Sequence, residues 1–234
     1  MPAFQKAVEM GADGIEFDVQ ITRDGEVVIA HDERLERVSD GTGWLKDYTL
    51  AELKRFSFSR THPEYGFTEI PTLRELFAFM QSNGLMMNVE LKTGMVYQEQ
   101  LEEKTAALAA AFGVENRIIY SSFNHYSLQK LHMLMPTAKL GLLCAEDFID
   151  IPAYPARLGA SAVHLPCGLV TENYIRSCHA AGLAVHAWTT DVKLQMLQLS
   201  DWEIDAFITD CPDSGRRVVD GDRSWLKEKM EALG

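Results

Sequence analysis

What most constrains this chain is an alternation. Short runs of β-branched or apolar residues take turns with helix-length amphipathic segments along nearly its whole length. Strands separated by helices cannot be joined as hairpins, so they run parallel in one sheet with the helices packed outside it. Seven such strands are predicted, at residues 14–22, 86–92, 117–122, 139–144, 160–165, 183–189 and 206–209. The intervening helices are well punctuated. Thr72 with Glu75 reads as a capping box before Leu73, Leu76, Phe77 and Met80, and Asn83-Gly84 closes that segment. Thr171 caps a helix that Gly182 ends, and Gly113 ends the alanine-rich helix starting near Tyr97. Gly11 terminates a first helix that carries Phe4, Ala7 and Val8 on one face.

One hairpin interrupts the rhythm. Arg23-Asp24-Gly25 turns residues 19–22 back along 27–30, and the returning strand ends at His31-Asp32. Beyond it a polar loop at 39–43 and one short capped helix near 49–56 are all that residues up to about 69 contain. The stretch 40–70 is therefore predicted to be a small inserted cap rather than a barrel unit. The predicted fold is an α/β TIM-like (β/α) barrel lacking its first strand, because a closed barrel of this kind takes eight parallel strands and Met1 opens directly onto a helix. Residues 1–234 are read as a single barrel domain. Its open side leaves two unpaired strand edges, which predicts pairing with another chain, including a homo-oligomer of this one.

Composition narrows the partners. Against 34 acidic residues stand 22 Lys and Arg, a net charge of -12, which repels nucleic acid and acidic lipid. No stretch reaches the roughly 18 consecutive apolar residues of a membrane helix, and the opening residues lack the basic, apolar and small-residue order of an export signal. Cys144, Cys167, Cys178 and Cys211 form no CxxC pair, the usage of a reducing interior, so a cytoplasmic location is expected.

Two acids mark the first strand. Glu16 and Asp18 leave one face while Ile15, Phe17 and Val19 leave the other. Paired acids inside a barrel repel unless one is protonated or a cation joins them. Glu90, in the same apolar-acid alternation Val89-Glu90-Leu91-Lys92, offers a third oxygen ligand for Mg²⁺ or Ca²⁺. A structural ion pair, for instance Glu16 with Lys92, would account for the same residues without a metal. Lys92 either compensates those acids or holds a phosphate oxygen as a point charge. His31, beside an Asp32 able to orient its ring, is placed for proton transfer. Phe123 and Trp188, each at the carboxyl end of a predicted strand, could wall a pocket for an apolar or glycerol moiety, or simply belong to the core.

The stretch Gly11-Ala12-Asp13-Gly14-Ile15-Glu16-Phe17-Asp18-Val19, followed by Thr22-Arg23-Asp24-Gly25 and by His31-Asp32 with Leu35, Arg37 and Gly41-Thr42-Gly43, closely resembles the glycerophosphodiester phosphodiesterase family. Pro71-Thr72-Leu73, Val89-Glu90-Leu91-Lys92, Ser121-Ser122-Phe123, Trp188-Thr189 and Ile208-Thr209-Asp210 resemble its later segments in order, from about residue 4 to 213. The resemblance implies a metal-dependent phosphoric diester hydrolase releasing glycerol 3-phosphate and an alcohol. It implies a divalent ion on Glu16, Asp18 and Glu90, His31 as one of two catalytic histidines, and Lys92 near the phosphate. The family's opening strand, whose His-Arg-Gly motif supplies the other histidine, is not in this sequence, so activity is expected to be impaired. The alternative is a non-catalytic barrel that binds metal and phosphate without turnover.

Overall fold

The computed structural model describes residues 1–146 and 151–224. In chain order its helices and strands are α1 (Pro2–Glu9), β1 (Gly14–Ile21), β2 (Val27–Ile29), α2 (Leu50–Leu53), α3 (Leu73–Met80), β3 (Met86–Leu91), α4 (Leu101–Phe112), β4 (Ile118–Ser122), α5 (His125–Leu134), β5 (Lys139–Leu143), α6 (Ala153–Arg157), β6 (Ala162–Pro166), α7 (Glu172–Ala180), β7 (Ala184–Trp188), α8 (Lys193–Asp201), β8 (Ala206–Phe207) and α9 (Pro212–Val219). All eight strands form one sheet in the order β2-β1-β3-β4-β5-β6-β7-β8. Only β2 runs antiparallel; it pairs with the end of β1, Val19 opposite Ile29 and Ile21 opposite Val27. Every predicted strand is present. None of the helices among the described residues is long and apolar enough to cross a membrane.

The sheet curls without closing. Along Gly14 to Phe17 no strand pairs with β1 on the side away from β3, and β8 pairs with β7 alone, among the described residues. Its two ends nevertheless approach each other: Arg216 of α9 reaches back to Asp13, just ahead of β1, with Nη1 2.7 Å from Oδ1.

Alternation decides what lies where. Ile15, Phe17 and Val19 of β1, Met87, Val89 and Leu91 of β3, Val163 and Leu165 of β6, and Val185 and Ala187 of β7 all join the main apolar core. They face the helices; Phe4 of α1, for example, meets Phe17 edge to face at 5.9 Å. Residues between them turn the other way, toward the barrel axis. A separate small core, built on Val28 and Ala30 with Leu35, Leu45, Leu53 and Ile70, lies beneath the 40–70 segment. There Thr49 and Glu52 make the capping box of α2.

Two helix limits differ from the expectation. The helix α3 ends on Gln81 in an ordinary right-handed conformation, not on Asn83-Gly84. The chain leaving the helix is held by Arg117, in the turn just ahead of the neighbouring strand β4, whose guanidinium donates to Met80 O at 2.9 Å and Asn83 O at 2.7 Å, a contact that local sequence does not reveal. Helix α4 begins at Leu101 rather than near Tyr97, because Gln100 takes a left-handed φ of 65° that the helix cannot contain.

On the axial side His164 of β6 stacks on His186 of β7, ring centroids 4.4 Å apart. Burial pushes both imidazoles toward the neutral form, His186 down to about 4 against an opposing pull from Asp205. Gly141 of β5 makes room for them, since a Cβ there would lie 2.2 Å from His164 Nε2. Gly141→Ala is therefore expected to lower stability by about 1–3 kcal/mol, as overpacking of a filled interior does. Urea denaturation measures it, and a variant as stable as the parent would mean that the ring moves aside freely.

Candidate active site

The site begins with register. Because β1 and β3 pair in parallel, Asp18 lies directly opposite Glu90 and Glu16 opposite Asn88, on the face the core does not use. Glu16, Asp18 and Glu90 consequently each offer a carboxylate oxygen within 4.8 Å of the other two. Lys92, one alternation beyond Glu90, places Nζ 3.2 Å from Glu90 Oε1 and 3.3 Å from Asp18 Oδ1. The predicted acid trio and the lysine are thus brought together.

Electrostatics make this cluster costly. Burial, then Asp18 and Glu90, raise the carboxyl of Glu16 well above the usual range. Burial and next Asp18 raise Glu90 to about 7. Burial also raises Asp18, with Lys92 and then His31 pulling the other way. Lys92 stays protonated, because Asp18 and Glu90 together outweigh the burial that opposes its charge. One ammonium does not balance three acids, so the ion pair alone leaves the group under-compensated. Moreover, buried Asp18 Oδ1 has no directed hydrogen bond, the lysine being near but misaligned. An all-oxygen donor set with an unsatisfied buried oxygen suits a hard divalent cation such as Mg²⁺ or Ca²⁺.

The sign of the pH dependence follows. Carboxyls raised on folding bind protons more readily in the folded chain, so the cation-free protein loses stability as pH climbs from about 4.5 through about 7, the value for Glu90. A divalent ion needs these ligands deprotonated and rewards that state. In EDTA the melting temperature is expected to be higher at pH 5 than at pH 8, and added Mg²⁺ or Ca²⁺ to raise it at pH 8 with little effect at pH 5. A cation response independent of pH would count against the cluster as the binding site.

His31 is exposed, just beyond β2, on a segment whose Asp32 is half-buried and whose Leu35 is buried. Its Nδ1 is 2.6 Å from Asp32 Oδ1, while Arg37 grips the same carboxylate with Nε on Oδ2 and Nη2 on Oδ1, both at 2.5 Å. Hydrogen bonds from Arg37, and then His31, hold Asp32 ionised, down to about 2. An ionised carboxylate only accepts, so Nδ1 donates and Nε2 of the neutral ring is the nitrogen that carries the lone pair. The imidazole is also near enough to Asp18 and Glu90 for its positive form to favour their ionisation. Phe123 and Trp188, which follow and end β4 and β7 respectively, meet edge to face at 5.7 Å, so the two predicted aromatics pack against each other.

Two participants have no signal in strand alternation. Arg37 is one, although an arginine five residues past Asp32 of the His31-Asp32 pair is a spacing that suits the clamp. Asp210 follows β8 and raises the carboxyl of Glu16, so it faces the acids from the far end of the sheet. Its amide is tied to Asp191 Oδ1 at 2.8 Å.

Comparison with known proteins finds relatives over nearly the whole chain. Residues 1–214 match the profile of the Glycerophosphoryl diester phosphodiesterase family. A glycerophosphodiester phosphodiesterase of Caldanaerobacter subterraneus subsp. tengcongensis is 35% identical over 213 residues, spanning 91% of this chain and 88% of that protein. One from Bacillus altitudinis is 34% identical over 93% of this chain and 91% of its own. Among solved structures, an Oleispira antarctica phosphodiesterase in complex with the product sn-glycerol-3-phosphate superposes with a TM-score of 0.82 at 27% identity, covering 93% of this chain and 90% of the other.

Proposed function

The chain belongs to the glycerophosphoryl diester phosphodiesterase family, and from that membership we propose that it hydrolyses glycerophosphodiesters to glycerol 3-phosphate and an alcohol with the help of a divalent cation. The observation that carries this reading is the Asp18–Glu90 register, which gathers three carboxylates within 4.8 Å beside a charged lysine. Support for the product comes from the Oleispira relative, which binds sn-glycerol-3-phosphate on the same fold.

In this reading Glu16, Asp18 and Glu90 hold the ion. A bound Mg²⁺ or Ca²⁺ would neutralise charge on the phosphate oxygens, which opens phosphorus to attack. Lys92 binds another phosphate oxygen as a fixed cation. The attacking hydroxyl must lose a proton and the departing alkoxide must gain one, and His31 Nε2 serves that exchange. Asp32, clamped by Arg37, keeps the ring in the tautomer that leaves Nε2 available and stabilises the imidazolium once it forms. Phe123 and Trp188 shield the alcohol or glycerol moiety from water. Association of copies along the edges of β1, from Gly14 to Phe17, and of β8, which have no further strand partner among the described residues, belongs to the same proposal.

The test is release of glycerol 3-phosphate from glycerophosphocholine, with and without EDTA. Turnover that chelation stops and Mg²⁺ or Ca²⁺ restores supports the hydrolase. Turnover that survives complete chelation overturns the metal-assisted mechanism. Cation and phosphate binding without turnover would assign the chain to the binding-barrel alternative.

A further inference from the structure

Two glutamines outside the acid cluster form a device that the proposed reaction does not yet explain. Gln20 and Gln98 are 2% and 3% exposed, unusual depths for uncharged amides that must find hydrogen bonds for every polar atom. They do find them. Gln20 Nε2 donates to Ala30 O at 2.9 Å and Asp32 O at 2.8 Å, the carbonyls on either side of His31. Gln98 Nε2 donates to Lys92 O at 2.6 Å and to Gln20 Oε1 at 3.4 Å, and Gln98 Oε1 accepts from Ile21 N at 2.6 Å. The orientation of both amides is settled by their partners, because main-chain carbonyls only accept and Ile21 N only donates.

We infer that Gln20 and Gln98 form a buried amide clamp that fixes the His31-Asp32 segment and the end of β3 at Lys92 against β1, as positioning residues for the proposed hydrolysis. The placement argues for it. Glu16, Asp18 and Gln20 follow one another on the same alternation of β1, so the strand that carries two of the acids also carries the amide that sets the histidine segment. Past β2 that segment has lost its ladder; Ala30 N still reaches Asp18 O at 3.1 Å, and the carbonyls of Ala30 and Asp32 turn to Gln20. Gln98 then links Gln20 to the main chain of Lys92. The imidazole, the lysine and the acids thereby share one rigid reference even though His31 itself is exposed. A group held to within a fraction of an ångström transfers protons far better than a wandering one, and this is where buried amides contribute beyond stability.

The inference rests on the hydrolase reading, and the experiment separates the two. Gln20→Glu and Gln98→Glu keep chain length but remove the donors to Ala30, Asp32 and Lys92. Each is expected to lower kcat on glycerophosphocholine by about 10- to 100-fold, with KM changed less than about threefold, as loss of supporting partners around a site does. In a His31→Ala background, Gln20→Glu should cost almost nothing more, since its effect passes through the imidazole. Hydrogen exchange at the amides of residues 30–34 should rise about tenfold while β4 to β6 keep their protection. An equal loss of kcat in both backgrounds, or exchange at 30–34 unchanged, overturns the clamp. Parent-like turnover by His31→Ala alone overturns the underlying mechanism instead, and the exchange measurement still decides on the clamp. Should Gln20→Glu fail to fold, Gln20→Met, of similar length and uncharged, is read by the same two criteria.

Discussion

Glu90→Gln is expected to reduce hydrolysis by about three orders of magnitude, the rate equivalent of the several kcal/mol that a metal ion supplies to charge neutralisation at phosphorus. The substitution keeps the shape of the side chain and removes one of three anionic ligands. Two opposite effects should therefore appear in the same protein. Cation-induced stabilisation at pH 8 should shrink or vanish, while the EDTA-treated variant melts higher than the EDTA-treated parent, because burial and Asp18 no longer act against a charge at that position. Differential scanning calorimetry with and without cation reads both signs at once. A variant that keeps the parent's full cation response would remove Glu90 from the ligand set.

The second large effect concerns the proton. His31→Ala is expected to lower kcat by about 10² to 10⁴, the usual contribution of a general acid or base. Stability should hardly change, for the ring is exposed and its strongest contact, with Asp32, lies on the surface beside Arg37. Cation binding should also persist. Steady-state kinetics together with a melting curve make the comparison, and a loss of activity that merely tracks unfolding would deny His31 a role in catalysis.

Much of this architecture could be read in the amino-acid order, for a definite reason. Where a strand is dry on one side and carries chemistry on the other, the period of two shows itself, as in Ile15, Phe17 and Val19 against Glu16 and Asp18. The acid pair on β1 and the single acid on β3 could be joined because those strands are neighbours, with the hairpin, the inserted segment and helix α3 between them. What could not be read depends on the path of irregular chain. Arg37 meets Asp32 only because Leu35 is anchored in the small core under the insertion and turns the loop back. Arg117 reaches the end of helix α3 from the turn ahead of β4, and no residue near that end announces it. Asp210 nears Glu16 because the sheet curls, a fact about the whole fold rather than about either segment. The Gln20–Gln98 pair was invisible for a related reason: an amide, unlike an acid, carries no charge that demands a partner, and its burial is evident only once the hairpin and the entry to α4 are in place.

The alternation along the strands has an evolutionary corollary. Positions such as Phe17, Val89 and Val185 answer to folding, and their immediate neighbours Glu16, Glu90 and His186 answer to the barrel axis. Selection for a new substrate could rewrite the second set while leaving the first untouched. A lineage built this way can change its chemistry at one set of positions while the other keeps the sheet seated on its helices.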